Sequence, residues 1–160
     1  MYLSLICKVF KSKHMILKIV KGIWFFSLLI FLAVFFFNYA GLPESITVFE
    51  ADAPFVMSKE GLFYAFLALV AIMNMFVFVI SRIFPEKDFE FKTWFYGLII
   101  TLNIFFIVGI NFIGLYNSSE KFDYPRIGNI IYGSLVLIVI WTVSWPVYTL
   151  SRKYIFKQTV

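Results

Sequence analysis

Between Thr93 and Ser119 the chain runs for twenty-seven residues without a charge, TWFYGLIITLNIFFIVGINFIGLYNSS, yet carries two asparagines deep inside. As one helix rising about 1.5 Å per residue, this run is about 40 Å long, enough to cross a hydrocarbon core about 30 Å thick. Asn103, Ile107, Asn111 and Gly114 recur at spacings of four, four and three and share one helical face, while Phe105, Phe106, Phe112 and Ile113 point largely elsewhere. A span with one polar or small face needs neighbouring helices to satisfy its amides.

Three further apolar runs supply those neighbours. Residues 19–39, 61–81, 94–116 and 127–150 read as four spans, so the expected fold is an all-α integral membrane protein, an antiparallel bundle of four transmembrane helices. Composition agrees: 62% of residues are hydrophobic and 14% charged, against about 45–50% and about 25% in soluble domains. Pro85 stops the second span, and Pro146 is expected to bend the last turns of the fourth. The charge-free run from Gly22 to Pro43 is twenty-two residues, too long for a signal-peptide core of about 7–15, and an uncleaved first span is expected. Twenty-two Phe and four Trp suit lipid-facing surfaces, although a Phe excess also follows from an AT-rich coding bias.

Residues 1–18 mix Leu3, Ile6 and Phe10 with lysines. They read either as a basic amphipathic helix lying on an anionic leaflet before the chain turns inward, or as lysines that flank the first span and set its orientation. Residues 151–160 form a basic tail. Of the fourteen basic residues, only Lys59, Lys121 and Arg126 fall outside the N-terminal segment, the connection after the second span and the tail. By the positive-inside rule both termini are then cytoplasmic, in a bacterial cytoplasmic membrane, and the acidic connection 41–60 faces out. The net charge of +5 clusters at the ends of apolar runs and forms no stripe on a soluble domain, so nucleic acid is not an expected partner. The expected partners are the lipid bilayer and other membrane proteins, or a second copy of the chain. Trp24, Trp94, Tyr96, Trp145, Tyr148 and Tyr154 fall near the inner boundaries of the spans and Tyr39, Tyr64, Tyr116 and Tyr132 near the outer ones, an aromatic-belt pattern, while Trp141 sits deeper and is expected between helices.

Polar residues inside the spans are the candidate functional positions. Asn74, Asn103 and Thr142 each lie about 10–13 Å in from the cytoplasmic end of their helix, which predicts one hydrogen-bonding layer, each contact worth roughly 0.6–2 kcal/mol. Asn38, Asn111 and Ser134 form a second candidate layer near the outer boundary. The same amides are also candidates for a pathway lining for a polar solute, but charged groups, which mark ion and proton routes, stay out of the span interiors. Ala65, Ala68 and Ala71 make a small-residue stripe on the second span, read as close helix packing.

Little else offers chemistry. One Cys and one His exclude an intramolecular disulfide, a CxxC pair, a bis-histidine haem and a zinc cluster, and no cofactor is expected. His14 has no Ser, Asp or Cys spaced to partner it, so a non-enzymatic protein is expected. In the outer connection, Leu42, Pro43, Glu44, Glu50, Asp52 and Lys59 are the candidate surface residues. Its carboxylates lack the spacing and turn glycine of a calcium loop. Alternation over Ser45–Glu50 allows a short extended segment, but six residues alone make no stable hairpin, and a loop packed on the membrane surface is expected.

Leu42-Pro43-Glu44-Ser45-Ile46-Thr47-Val48-Phe49, followed by Ser58-Lys59 ahead of a span, resembles the extracytoplasmic motif of the bacterial DUF1648 family, which includes SdpI-type immunity and signalling membrane proteins. The resemblance covers about twenty residues and implies an outward-facing loop in a multi-span protein. Val48 and Phe49 stand where that family carries a His, and its central Gly is missing. The reading is a non-enzymatic accessory, structural or regulatory membrane subunit, with a small oligomeric transporter or channel component as the alternative.

Overall fold

The computed structural model describes residues 2–49, 55–84, 88–118 and 124–156. The order is α1 (Tyr2–Gly41), β1 (Ser45–Phe49), β2 (Phe55–Ser58), α2 (Lys59–Ile83), α3 (Phe89–Tyr116) and α4 (Tyr124–Phe156). Four helical segments are long and apolar enough to cross a membrane: Met15–Gly41, Lys59–Ile83, Phe89–Tyr116 and Gly128–Tyr154. Each contains one of the four expected spans or all but its first residue.

No turn separates residues 2–18 from the first span. Tyr2–Gly41 is one unbroken helix of 40 residues, about 60 Å long. No proline or glycine lies between residues 2 and 21 to interrupt it. A hydrocarbon core about 30 Å thick accommodates only half of such a helix.

Local chemistry sets the other boundaries. Ser58 ends β2 and caps α2 at once: its backbone is extended, and its Oγ accepts from Gly61 N at 3.1 Å. Glu60 in the first turn and Arg82 in the last suit the helix dipole. At the far end, Lys92 of α3 is buried, and its Nζ donates to Ser81 O at 3.2 Å among the terminal carbonyls of α2. That contact ties the turn between the two helices.

The helices alternate in direction, but they do not close around a common core. The most extensive contact joins α1 to α3, which run parallel, and α4 packs against α3. Only 6% of the α4 span is buried, against 22% for α3. The four-helix arrangement expected from sequence is present, with α3 at its centre and α4 on the flank of α3. Adjacency in the chain lost to the complementarity of polar faces.

Two apolar clusters hold α1, α2 and α3 together. Near the hairpin, Phe31 and Phe35 are 1% exposed and lie 5.9 Å apart. Phe66 of α2 packs at 6.4 and 5.6 Å from them, and Phe106 of α3 at 6.1 Å from Phe31. Such spacings suit offset or tilted ring pairs. Part of the phenylalanine excess thus forms core, and Phe106 faces protein as much as surroundings. At the opposite end Val77, Tyr96 and Ile99 cluster, with Trp24 edge-on to Tyr96 at 5.6 Å.

The outer connection is a hairpin, which corrects the expected loop. β1 and β2 pair antiparallel, with Thr47 opposite Val56 and an irregularity between Thr47 and Phe49. The two short strands do not stand alone. Ile46 is fully buried in the aromatic cluster, Lys59 N donates to Glu44 O at 3.0 Å, and the free edge of Thr47 is taken by α3. Tertiary support replaces the third strand that an isolated hairpin lacks.

Candidate functional site

The polar face of α3 meets α1 along its whole length. Asn103 is 1% exposed, and its Nδ2 donates to Ser27 Oγ at 2.9 Å; that hydroxyl in turn donates to Trp24 O at 2.7 Å. Two turns further on, Asn38 Nδ2 donates to Asn111 Oδ1 at 3.2 Å and to Val34 O at 2.9 Å, and Asn111 Nδ2 donates to Ile107 O at 2.7 Å. A Cβ on Gly114 would come within 2.5 Å of Asn38 Oδ1. The glycine therefore admits the amide. At the top of the seam, Asn117 Oδ1 accepts from Thr47 N at 2.8 Å, and its Nδ2 donates to Thr47 O at 3.0 Å and to Ile113 O at 2.9 Å. One side chain thus acts as a one-residue strand on the edge of β1.

The predicted inner layer does not form. Asn103 bonds to Ser27, not to Asn74 or Thr142. Asn74 Nδ2 donates to Val70 O of its own helix at 2.8 Å, and its buried Oδ1 has no partner among the described residues. Thr142 is exposed on the outside of α4. The outer layer forms in part: Asn38 and Asn111 meet, whereas buried Ser134 donates within α4 to Ile131 O at 2.7 Å. Thr142 adjoins Trp141, which pairs with Trp94, so it lies about 13 Å along α3 from Asn103: equal counts from the helix ends do not bring these side chains to one level.

Sequence reasoning missed Ser27, Asn117 and a pair of tryptophans. Ser27 lies eight residues into the first span, about 12 Å deep, so the same depth arithmetic reaches it. Trp94 Nε1 donates to Trp141 O at 2.9 Å, and Trp141 Nε1 donates to Trp94 O at 2.9 Å. The indole of Trp141 lies over Gly97, whose missing side chain makes room for it. This reciprocal clasp fastens α4 to α3 and places Trp141 between helices, level with Trp94 and not deeper than it. The Ala65, Ala68 and Ala71 stripe, expected to support close helix packing, is exposed at all three positions.

In the hairpin region Leu42 is 5% exposed and belongs to the core, while Pro43 and Glu44 are exposed. Lys59 Nζ sits 5.0 Å from the centre of the Tyr39 ring, a cation–π contact across the base of the hairpin. Glu50 and Asp52 lie outside the described residues. Among the described residues, no three His, Cys, Asp or Glu side chains converge as a metal site would require.

At the end where α1 starts and α4 finishes, α3 and α4 enclose an open groove of about 410 Å³. Glu90 Oε2 accepts from Arg152 Nη1 at 2.7 Å and from Tyr148 OH at 3.0 Å across its floor. Phe91 and Trp145, 5.2 Å apart, wall it on the side toward the spans. The chain matches no family model, and no curated protein or solved structure shows significant similarity to it.

Proposed function

We propose that this chain is a four-span protein of a bacterial cytoplasmic membrane, with both termini cytoplasmic, serving as a non-enzymatic accessory or regulatory subunit that contacts other membrane proteins. Apolar surface supports the membrane reading. Leu67, Met75, Phe76, Val139 and Ile140 are among the large side chains left exposed on α2 and α4, more than a water-facing monomer tolerates. The distribution of lysine and arginine supports the orientation, and the likeness of residues 42–59 to the DUF1648 loop supports an outward hairpin.

The observation that carries the subunit reading is the outward stripe of Ala65, Ala68 and Ala71. Without a hydrophobic drive between helices in lipid, association depends on close backbone approach, and small side chains permit it. Among the described residues, no side chain covers that stripe enough to bury any of the three. A photo-crosslinker at Ala68 is expected to give a discrete protein adduct in membranes, identifiable by mass, which is lost when Ala65 and Ala71 are replaced by Phe. Adducts to lipid alone would overturn the reading.

The alternative, a small oligomeric transporter or channel component, rests on the amides. It is the weaker one, because Asn38, Asn103 and Asn111 are spent on one another, on Ser27 and on backbone carbonyls in a closed seam. Solute flux into liposomes that disappears on Asn103→Leu would restore it.

A further inference from the structure

The groove between the start of α3 and the end of α4 has a charge pattern that selects a ligand. Its floor is an ion pair, Glu90 with Arg152, and these two charges offset each other. Among the described residues, what remains on the walls is one carboxylate, Asp88, and one ammonium, Lys153. Among the described residues neither takes part in a hydrogen bond or ion pair. Arg152 also has N–H groups beyond the one given to Glu90. A purely anionic ligand would meet Asp88, and a purely cationic one would meet Lys153 and Arg152. Only a ligand carrying both signs finds a partner for each.

The position of the groove narrows the class. Phe89 opens the α3 span and Tyr154 closes the α4 span, so the groove lies at one edge of the apolar zone. Trp145, 5.6 Å from Trp94 and 5.8 Å from Tyr148, forms the kind of aromatic wall that sits at headgroup level. Its volume falls within the range of about 300–1,000 Å³ usual for small-ligand sites.

The geometry points to a binding site for the headgroup of an aminophospholipid, with the primary ammonium on Asp88, the phosphate on Lys153 and Arg152, and the glycerol end against Trp145 and Tyr148. A primary ammonium donates hydrogen bonds to a carboxylate, which a quaternary one cannot do. Phosphoethanolamine is therefore preferred over phosphocholine as well as over phosphoglycerol. The inference rests on the membrane reading above.

Native mass spectrometry of the full chain in a non-ionic detergent, incubated with equal amounts of phosphatidylethanolamine, phosphatidylcholine and phosphatidylglycerol, tests it. The expected result is preferential retention of phosphatidylethanolamine by about five-fold, the upper end for solvent-exposed charge contacts. Asp88 makes no side-chain capping hydrogen bond to α3, so Asp88→Asn keeps the fold; it should abolish the preference over phosphatidylcholine and raise retention of phosphatidylglycerol. Lys153→Gln should lower retention of all three, and Arg82→Gln, outside the groove, should change none. Equal retention by the unaltered chain, or an unchanged ratio in Asp88→Asn, would overturn the site. A chain that stays soluble without detergent and does not enter vesicles would instead overturn the membrane reading.

Discussion

Gly97→Ala is the sharpest probe of how α4 is held. A Cβ at position 97 would lie 2.7 Å from Trp141 Cε2 and closer still to Cζ2. The indole cannot swing aside freely, because its Nε1 is bonded to Trp94 O and its own carbonyl accepts from Trp94 Nε1. Relieving the clash therefore costs overpacking strain of about 1–3 kcal/mol, together with one or both indole hydrogen bonds at roughly 0.6–2 kcal/mol each. Better helix propensity returns about 1 kcal/mol. The net expectation is a loss of about 2–4 kcal/mol, a sum of the preceding ranges with overlap between strain and lost bonds. With Trp141→Ala in the background the obstacle is gone, and the same Gly97→Ala change should be neutral or stabilising by up to about 1 kcal/mol. Unfolding of the four variants in mixed micelles, followed by far-UV circular dichroism, gives the coupling directly. Equal costs for Gly97→Ala in both backgrounds would show that the alanine clashes with something other than the indole.

Ser27→Ala leaves the Asn103 amide unbonded in a buried seam, and a loss of about 1–3 kcal/mol is expected. The double variant Ser27→Ala, Asn103→Leu should recover part of that loss in the same unfolding assay, since no orphaned amide remains. Asn117→Ala removes both bonds to Thr47, so amide exchange at Thr47 should accelerate by about ten-fold or more, while exchange in the α1–α3 seam below stays unchanged. Asn74→Leu replaces a side chain whose buried carbonyl oxygen has no partner among the described residues; melting in detergent should show it neutral or stabilised by about 1 kcal/mol.

Four apolar runs and their lengths were legible in the chain, because a helix long and apolar enough to cross a membrane shows itself in local composition alone. So was the polar face of the third span, whose spacing of four, four and three is a property of one helix alone. What no single helix contains is which neighbour that face turns toward. Asn74, Asn103 and Thr142 count to similar depths within their own helices, yet Asn103 meets Ser27, and Thr142 adjoins Trp141, which is level with Trp94, about 13 Å along α3 from Asn103. Counting residues within one helix fixes neither its offset along a neighbour nor its rotation about the axis; packing sets both. The tertiary structure chose α1 as the partner of α3 because Gly114 admits Asn38 and the serine and amides complement one another there. It also decided the hairpin, since strands this short persist only when Ile46 is buried and Asn117 supplies the missing edge.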